Sequence, residues 1–233
     1  MSAHNGLSAQ ISAHLATKSL HPTPQWLSSL IPTIRANTPL PALQRTAEFR
    51  LLSTDITSTL QSSSSSTFSA GISDPNVKDL RIPGPVPVQV LDIEDVGRSR
   101  WSQVEAMEME ERGETRKGHE VIRVVAEDDQ DNSDSNPPAA TGGGPHKLLV
   151  QDAKGTKVYA FELENVEGVS VGGLAIGAKM VLKDITVSRG VVLLRARGAQ
   201  VLGGKVDAWD KKWREERKAK LKEKAGWRDD GNG

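Results

Sequence analysis

Gly168, Val169, Ser170, Val171 and Gly172 spell GxSxG, the spacing that presents a nucleophilic serine on a strand-to-helix elbow. That chemistry needs a strand before the motif, a helix after it and a histidine later in the chain. All five histidines (His4, His14, His21, His119, His146) precede Ser170, and the segment after it reads as loop and strand. Gly172 to Gly177 has phosphate-loop spacing, but Ala178 stands where lysine is required and Met180 follows Lys179 where serine or threonine is required. Asp129, Asp131 and Asp134 resemble a calcium loop without its glycine at the sixth position or its closing glutamate. The chain has no cysteine, which excludes disulfides, thiolate zinc sites and a thiol nucleophile. The expectation is a protein that is not an enzyme and needs no metal or cofactor.

Three other groups point to binding. Tyr159 and Phe161 are two apart, so on a strand they share a face. They either stack nucleic-acid bases or fill a core with Leu163, and core is the favoured reading. Lys211, Lys212 and Arg214 open a basic helical run that ends at Lys224. It is a solvated face, the favoured reading, or else a nuclear-targeting or nucleic-acid patch. Trp101, Val104, Met107 and Met109, with Val121, Ile122 and Val124, form an apolar set rich in adaptable methionine. They are either local core or a docking element for a partner.

The elements that must position these residues follow from period and composition. The 233 residues carry 30 basic and 30 acidic side chains and are 36% hydrophobic, so part of the chain is too polar to pack. No run approaches the roughly 18 apolar residues of a membrane span, and none opens the chain as a signal peptide. Residues 1–61 read as a three-helix bundle: one helix on Leu7, Ile11 and Leu15, one opened by Thr23 and Pro24, and one running from Pro39–Pro41 to Leu60. Residues 62–83, with a pure serine run at 62–66, read as a flexible linker or loop. Strands are expected at 86–93, 147–152, 156–163, 178–187 and 191–195, followed by a short apolar run at 200–202. Hairpin connections without a crossover helix imply an antiparallel barrel or sandwich over 84–204. A C-terminal helix and tail take 205–233.

Between the first two strands lies a long connection, 97–145. From Glu105 to Asp134 it holds eleven acids against four bases, a net charge of −7. The terminal helix, Lys205 to Lys224, carries nine bases against five acids, a net +4. The neutral total is therefore a cancellation of two charged segments. Residues 127–144 are acidic and then rich in Pro and Gly, and read as disordered.

Residues 84–97 (GPVPVQVLDIEDVG), 146–152 (HKLLVQD), 168–187 (GVSVGGLAIGAKMVLKDITV) and 188–204 (SRGVVLLRARGAQVLGG) resemble the RecQ-mediated genome instability protein 1 family. The run Pro24-Gln25-Trp26-Leu27 and the Leu43 to Leu60 segment look like that family's N-terminal helices. The resemblance implies an α+β chain: a three-helix bundle, then a five-stranded antiparallel OB-fold barrel with a long insertion between strands 1 and 2, then a C-terminal helix. It implies a nuclear, non-catalytic subunit that binds topoisomerase III beside a RecQ-family helicase and helps dissolve double Holliday junctions. It also implies that the 97–145 insertion reaches the topoisomerase gate, so that DNA is handled mainly through that enzyme. The single barrel looks like the family's short form, without the partners of a second barrel. A stand-alone single-strand binder is the alternative, with Tyr159, Phe161 and the terminal-helix cations as its contacts.

Overall fold

The structure, a computed structural model, describes residues 2–34, 38–112 and 144–226. Helix α1 (Ser2–Ala16) buries Ile11 and Leu15 one turn apart. Helix α2 (Pro24–Leu30) starts as its sequence dictates: Thr23 Oγ1 accepts from the Trp26 N–H and proline takes the first turn. A 3₁₀ turn, Ile31–Thr33, continues it. Helix α3 (Leu40–Leu52) turns Leu43, Ala47 and Leu51 inward. The expected run to Leu60 is broken, because Asp55 Oδ1 accepts from the Thr57 N–H and starts a separate one-turn helix, α4 (Ile56–Thr59). A capping aspartate competes well with continuation of a helix.

The serine run is a hydrogen-bonded turn. Ser63 and Ser66 hydroxyls lie 2.7 Å apart and Thr67 Oγ1 donates to the Ser63 carbonyl. Phe68 then enters the barrel core, its N–H held by Asp152 Oδ2.

Eight strands follow: β1 (Asp79–Ile82), β2 (Val86–Asp95), β3 (His146–Asp152), β4 (Lys157–Glu162), β5 (Lys179–Leu182), β6 (Ile185–Ser188), β7 (Val191–Leu194) and β8 (Ala199–Gly203). They pair in the order β1-β6-β7-β4-β3-β2-β5-β8. Five strands were expected, and the strand expected over 178–187 is two. It bends at Asp184, whose φ is +53°, a conformation aspartate tolerates. The bend closes the barrel: β5 pairs with β2 while β6, two residues on, pairs with β7, and β7 returns to β4. The closing β4–β7 pair is parallel, so the expectation of a wholly antiparallel barrel is corrected at that seam. β1 and β8 extend the sheet on either side; β1 lay unseen in a segment dominated by Pro, Gly and Asp.

Alternating inward residues of these strands, among them Val88, Val90, Leu148, Val150, Val158, Ala160, Met180 and Val192, make one core. The helical front has its own core, yet Ala153 of the barrel is buried in it. Two buried polar side chains also join the units. Lys179 Nζ donates to the carbonyls of Leu52 (3.1 Å) and Gly177 (2.6 Å). Gln89 donates to Asp55 Oδ1 and accepts from the Ile56 N–H.

Helix α5 (Arg100–Glu111), capped by Ser99, begins the connection after β2. Helix α6 (Asp207–Lys224) crosses the outside of β2, with Trp213 Nε1 donating to Asp92 Oδ1 at 2.7 Å. No helix among the described residues is long and apolar enough to cross a membrane.

Candidate functional site: the neck of the insertion and the barrel exterior

The connection leaves the barrel where β2 ends and β3 begins, and Asp95 faces His146 in the register. Both sides of this neck are pinned by buried carboxylates. Asp95 accepts from the Gly97 N–H (2.9 Å) and from Arg98 Nε (2.8 Å). Burial raises its pKa, but those two donors outweigh it and hold the carboxyl below its usual value. Glu162 takes the other side: Oε2 lies 2.6 Å from His146 Nδ1 and accepts from its backbone N–H, and Oε1 accepts from the Val166 N–H. Just above, Gly97 and Gly144 touch backbone to backbone. The sequence reading missed Asp95, Glu162 and His146 as site residues. An acid two residues before a glycine at a strand end, Asp95-Val96-Gly97, was the available signal.

Beyond the neck, α5 packs on α6. Gln103 is buried; its Nε2 donates to the Asp95 and Arg98 carbonyls and its Oε1 accepts from Arg217. Lys218 and Lys222 reach Glu108, at 3.5 and 2.8 Å, and Lys218 also reaches Glu111 at 2.6 Å. The basic terminal helix thus answers the first acids of the insertion directly. Val104 is 1% exposed and packed inside the chain, whereas Trp101 is 53% exposed; Met107 and Met109 are half-buried. Val121, Ile122 and Val124 lie outside the described residues, as does the calcium-like aspartate spacing.

The barrel exterior overturns the favoured reading of the aromatic pair. Val158 and Ala160 point into the core, so Tyr159, 52% exposed, and half-buried Phe161 point out, with Leu163 46% exposed beyond them. The register aligns them in rows: Glu94, Lys147, Phe161 and Leu193 in one, Asp92, Leu149, Tyr159 and Val191 in the next, Gln89, Gln151 and Lys157 in a third. Lys147 Nζ sits 5.4 Å over the Tyr159 ring. Three cations converge on buried Glu94: Lys147 at 2.8 Å, Arg100 at 3.1 Å and Lys224 at 3.9 Å. Burial raises the Glu94 pKa, but Lys147 and Arg100 more than reverse this.

A groove of about 450 Å³ runs between α6 and this face, lined by Leu91, Gln151, Lys157, Trp209, Lys212 and Lys220 among others. The fold therefore brings Lys212 beside the strand that carries Tyr159. Lys211 and Arg214 stay on the helix, 3.9 Å from Glu215 and 2.8 Å from Asp210 respectively. Ser170 lies in a turn between β4 and β5, where its hydroxyl accepts from the Gly173 N–H. Among the described residues no group of His, Asp and Glu could hold a metal ion.

A barrel closed by a parallel seam, with helices in front and a pinched insertion between its first two ring strands, defines an OB-fold protein with a helical N-terminal unit. The family model "RMI1, N-terminal OB-fold domain" matches residues 55–217, and "RMI1, N-terminal helical domain" matches 15–59. The chain belongs to the RecQ-mediated genome instability protein 1 family. It is 27% identical over 144 residues to the RecQ-mediated genome instability protein 1 of Schizosaccharomyces pombe, a stretch covering 57% of this chain and 61% of that relative.

Proposed function

We propose that this chain is a non-catalytic structural and regulatory subunit of a nuclear complex of a RecQ-family helicase and topoisomerase III. It would promote decatenation and the dissolution of double Holliday junctions, and so act in RecQ-linked genome stability, the role that the name of its fission-yeast relative carries. Family membership supports this reading. The observation that carries it is the insertion itself: the barrel closes without residues 97–145, yet Asp95, Glu162 and the paired glycines hold that segment's two ends together.

The chain's work in such a complex is mechanical. The topoisomerase cuts and rejoins DNA, and a bound subunit shifts the open–closed balance of its gate only by binding one state more tightly. The insertion is the part placed to make that distinction. Trp101, with the Val121, Ile122 and Val124 set further along, supplies the apolar contacts.

Deleting all of 98–144 would also remove Val104 and Gln103, which seat α5. The cleaner test replaces 113–143 with a Gly/Ser linker of equal length. Topoisomerase III co-purification is expected to weaken and stimulation of decatenation to be lost, with the thermal transition unchanged. Full stimulation by the replaced chain would sink the gate reading.

A further inference from the structure

We infer that the outer edge of β8 takes up an extended peptide segment of a partner protein as an added strand, a segment with alternate apolar residues and a carboxylate at one end. This goes beyond the subunit reading and does not depend on it. Among the described residues the strand order ends at β1 on one side and β8 on the other. An edge strand presents N–H and C=O groups that another chain can pair, and folded proteins blunt such edges with charge or proline. β1 is blunted. It carries Asp79 and Arg81, Arg81 donates to both oxygens of Asp184 at 2.7 and 2.9 Å, and Pro83 follows. β8 reads Ala-Gln-Val-Leu-Gly and has neither charge nor proline.

The backbone of β8 is oriented for pairing. The Lys183 N–H donates to the Gly198 carbonyl, and in an antiparallel pair the bonded positions alternate. Gln200, opposite Val181, therefore faces β5, and Val201 directs its N–H and C=O to the outer edge. A groove of about 1000 Å³ runs there. Its walls come from separate parts of the fold: Ser19 of the helical front, Pro85 before β2, and Asn165 and Gly168 between β4 and β5. A second copy of the chain would bring these same walls with its own β8, whereas a single extended segment brings none.

Charge complementarity gives the occupant its chemistry. Lys183 and Arg197 line the groove where β8 begins; both are exposed, and neither forms an ion pair among the described residues. Glu167 is the single acid among the described lining residues, and its neighbour Gly168 lies against Val201, further along β8. The cations therefore ask for a carboxylate at one end of the segment only. In strand addition the main-chain bonds supply affinity and the alternate side chains supply specificity.

The test pans a random dodecapeptide phage library on the full chain and measures the selected peptide, fluorescein-labelled, by anisotropy. The selected sequences should alternate apolar residues and carry Asp or Glu at one end. Val201→Pro removes an edge N–H, a change that edge strands tolerate, and should weaken the peptide about tenfold with the thermal transition held. Lys183→Glu with Arg197→Glu, both on the surface, should weaken it about tenfold and remove its salt dependence. N-methylation of every second peptide amide should abolish binding in one parity and spare it in the other, as strand pairing requires. The proposal is overturned if no peptide is enriched, if both N-methyl series bind alike, or if the charge-reversed variant binds as the wild type does. It is likewise overturned if the wild-type chain is a dimer that Val201→Pro dissociates, since a second copy then takes the edge. Should Val201→Pro fail to fold, the N-methyl series and the charge reversal decide the matter without it. The assay holds no topoisomerase, so its failure leaves the decatenation test of the subunit reading untouched.

Discussion

Gly97 and Gly144 meet across the neck of the insertion so closely that a Cβ built on either would lie 2.3 or 2.2 Å from the other's Cα. Real side chains do not approach backbone to that distance. The obstruction is main chain on both sides, so no rotamer change relieves it. Forty-six residues separate these glycines in sequence, and a long loop closes at modest extra entropic cost only when its ends are held together. Here the barrel supplies that hold.

Gly97→Ala or Gly144→Ala should therefore pry the neck apart. Overpacking of this kind costs about 1–3 kcal/mol, read as a lower urea midpoint. The core lies below the neck, so the far-ultraviolet spectrum should be retained. Under the proposed function, decatenation stimulation should fall further than stability does. An alanine variant with wild-type stability and wild-type stimulation would show that the close approach has no role.

Asp95 gives the neck an acid-sensitive element. Its carboxyl titrates below the ordinary 3.8 in the folded chain because Arg98 and the Gly97 N–H outweigh burial. A lowered folded pKa contributes stability that is present above pH 3.8 and is lost as pH falls through the folded value. Asp95→Asn should destabilise the chain at pH 7 by about 1–3 kcal/mol. It should also flatten the acid limb below about pH 4, as measured by urea titration at several pH values.

Lys179 behaves in the opposite range. It is fully buried, and burial brings its pKa from 10.5 down to about 8, with the Asp55 carboxylate opposing the shift. A neutral amine carries two N–H donors, enough for the Leu52 and Gly177 carbonyls. The unfolded chain binds this proton more tightly, so stability should rise between pH 8 and 10.5, by about 3 kcal/mol across the window. Lys179→Met should abolish that rise. An identical pH slope in wild type and variant would refute the assignment.

Gln89 is the complementary bond between the units. Gln89→Leu would leave the buried Ile56 N–H without its acceptor at the start of α4. The expected cost is about 1–3 kcal/mol in urea unfolding. Gln89→Glu keeps an acceptor for Ile56 but sets a second carboxylate against Asp55. Its deficit should shrink as pH falls.

Much of the architecture was legible because it is local. Thr23 and Pro24 start α2 by capping rules, alternation marks β2 to β4, and Arg189–Gly190, both at positive φ, turn β6 into β7. The break in α3 was the local feature overlooked: Asp55 has the residue type of a cap, but the apolar spacing ran through it. β1 was hidden because its burial is partial and its pairing is to β6, some hundred residues away.

The candidate site divided differently. The charge cancellation was visible in the sequence, yet the ion pairs of Glu108 with Lys218 and Lys222 were not, since about 110 residues separate the partners. The aromatic pair was seen and turned the wrong way. Strand period places Tyr159 and Phe161 on one face but does not say which face is inside. That choice falls to tertiary register: Val158 and Ala160 pair with buried Val150 and Leu148 and take the inward positions, which turns the alternate residues Tyr159 and Phe161 outward.

By itself, then, the sequence determined the order of helical front, barrel and terminal helix, the family, the lack of cysteine and the place where the insertion interrupts the barrel. Only the tertiary structure decided which face the aromatics take, that α6 lies beside them, and that Gly97 and Gly144 close the neck. Each of those depends on residues distant in the chain competing for one space, and spacing along a chain carries no information about that competition.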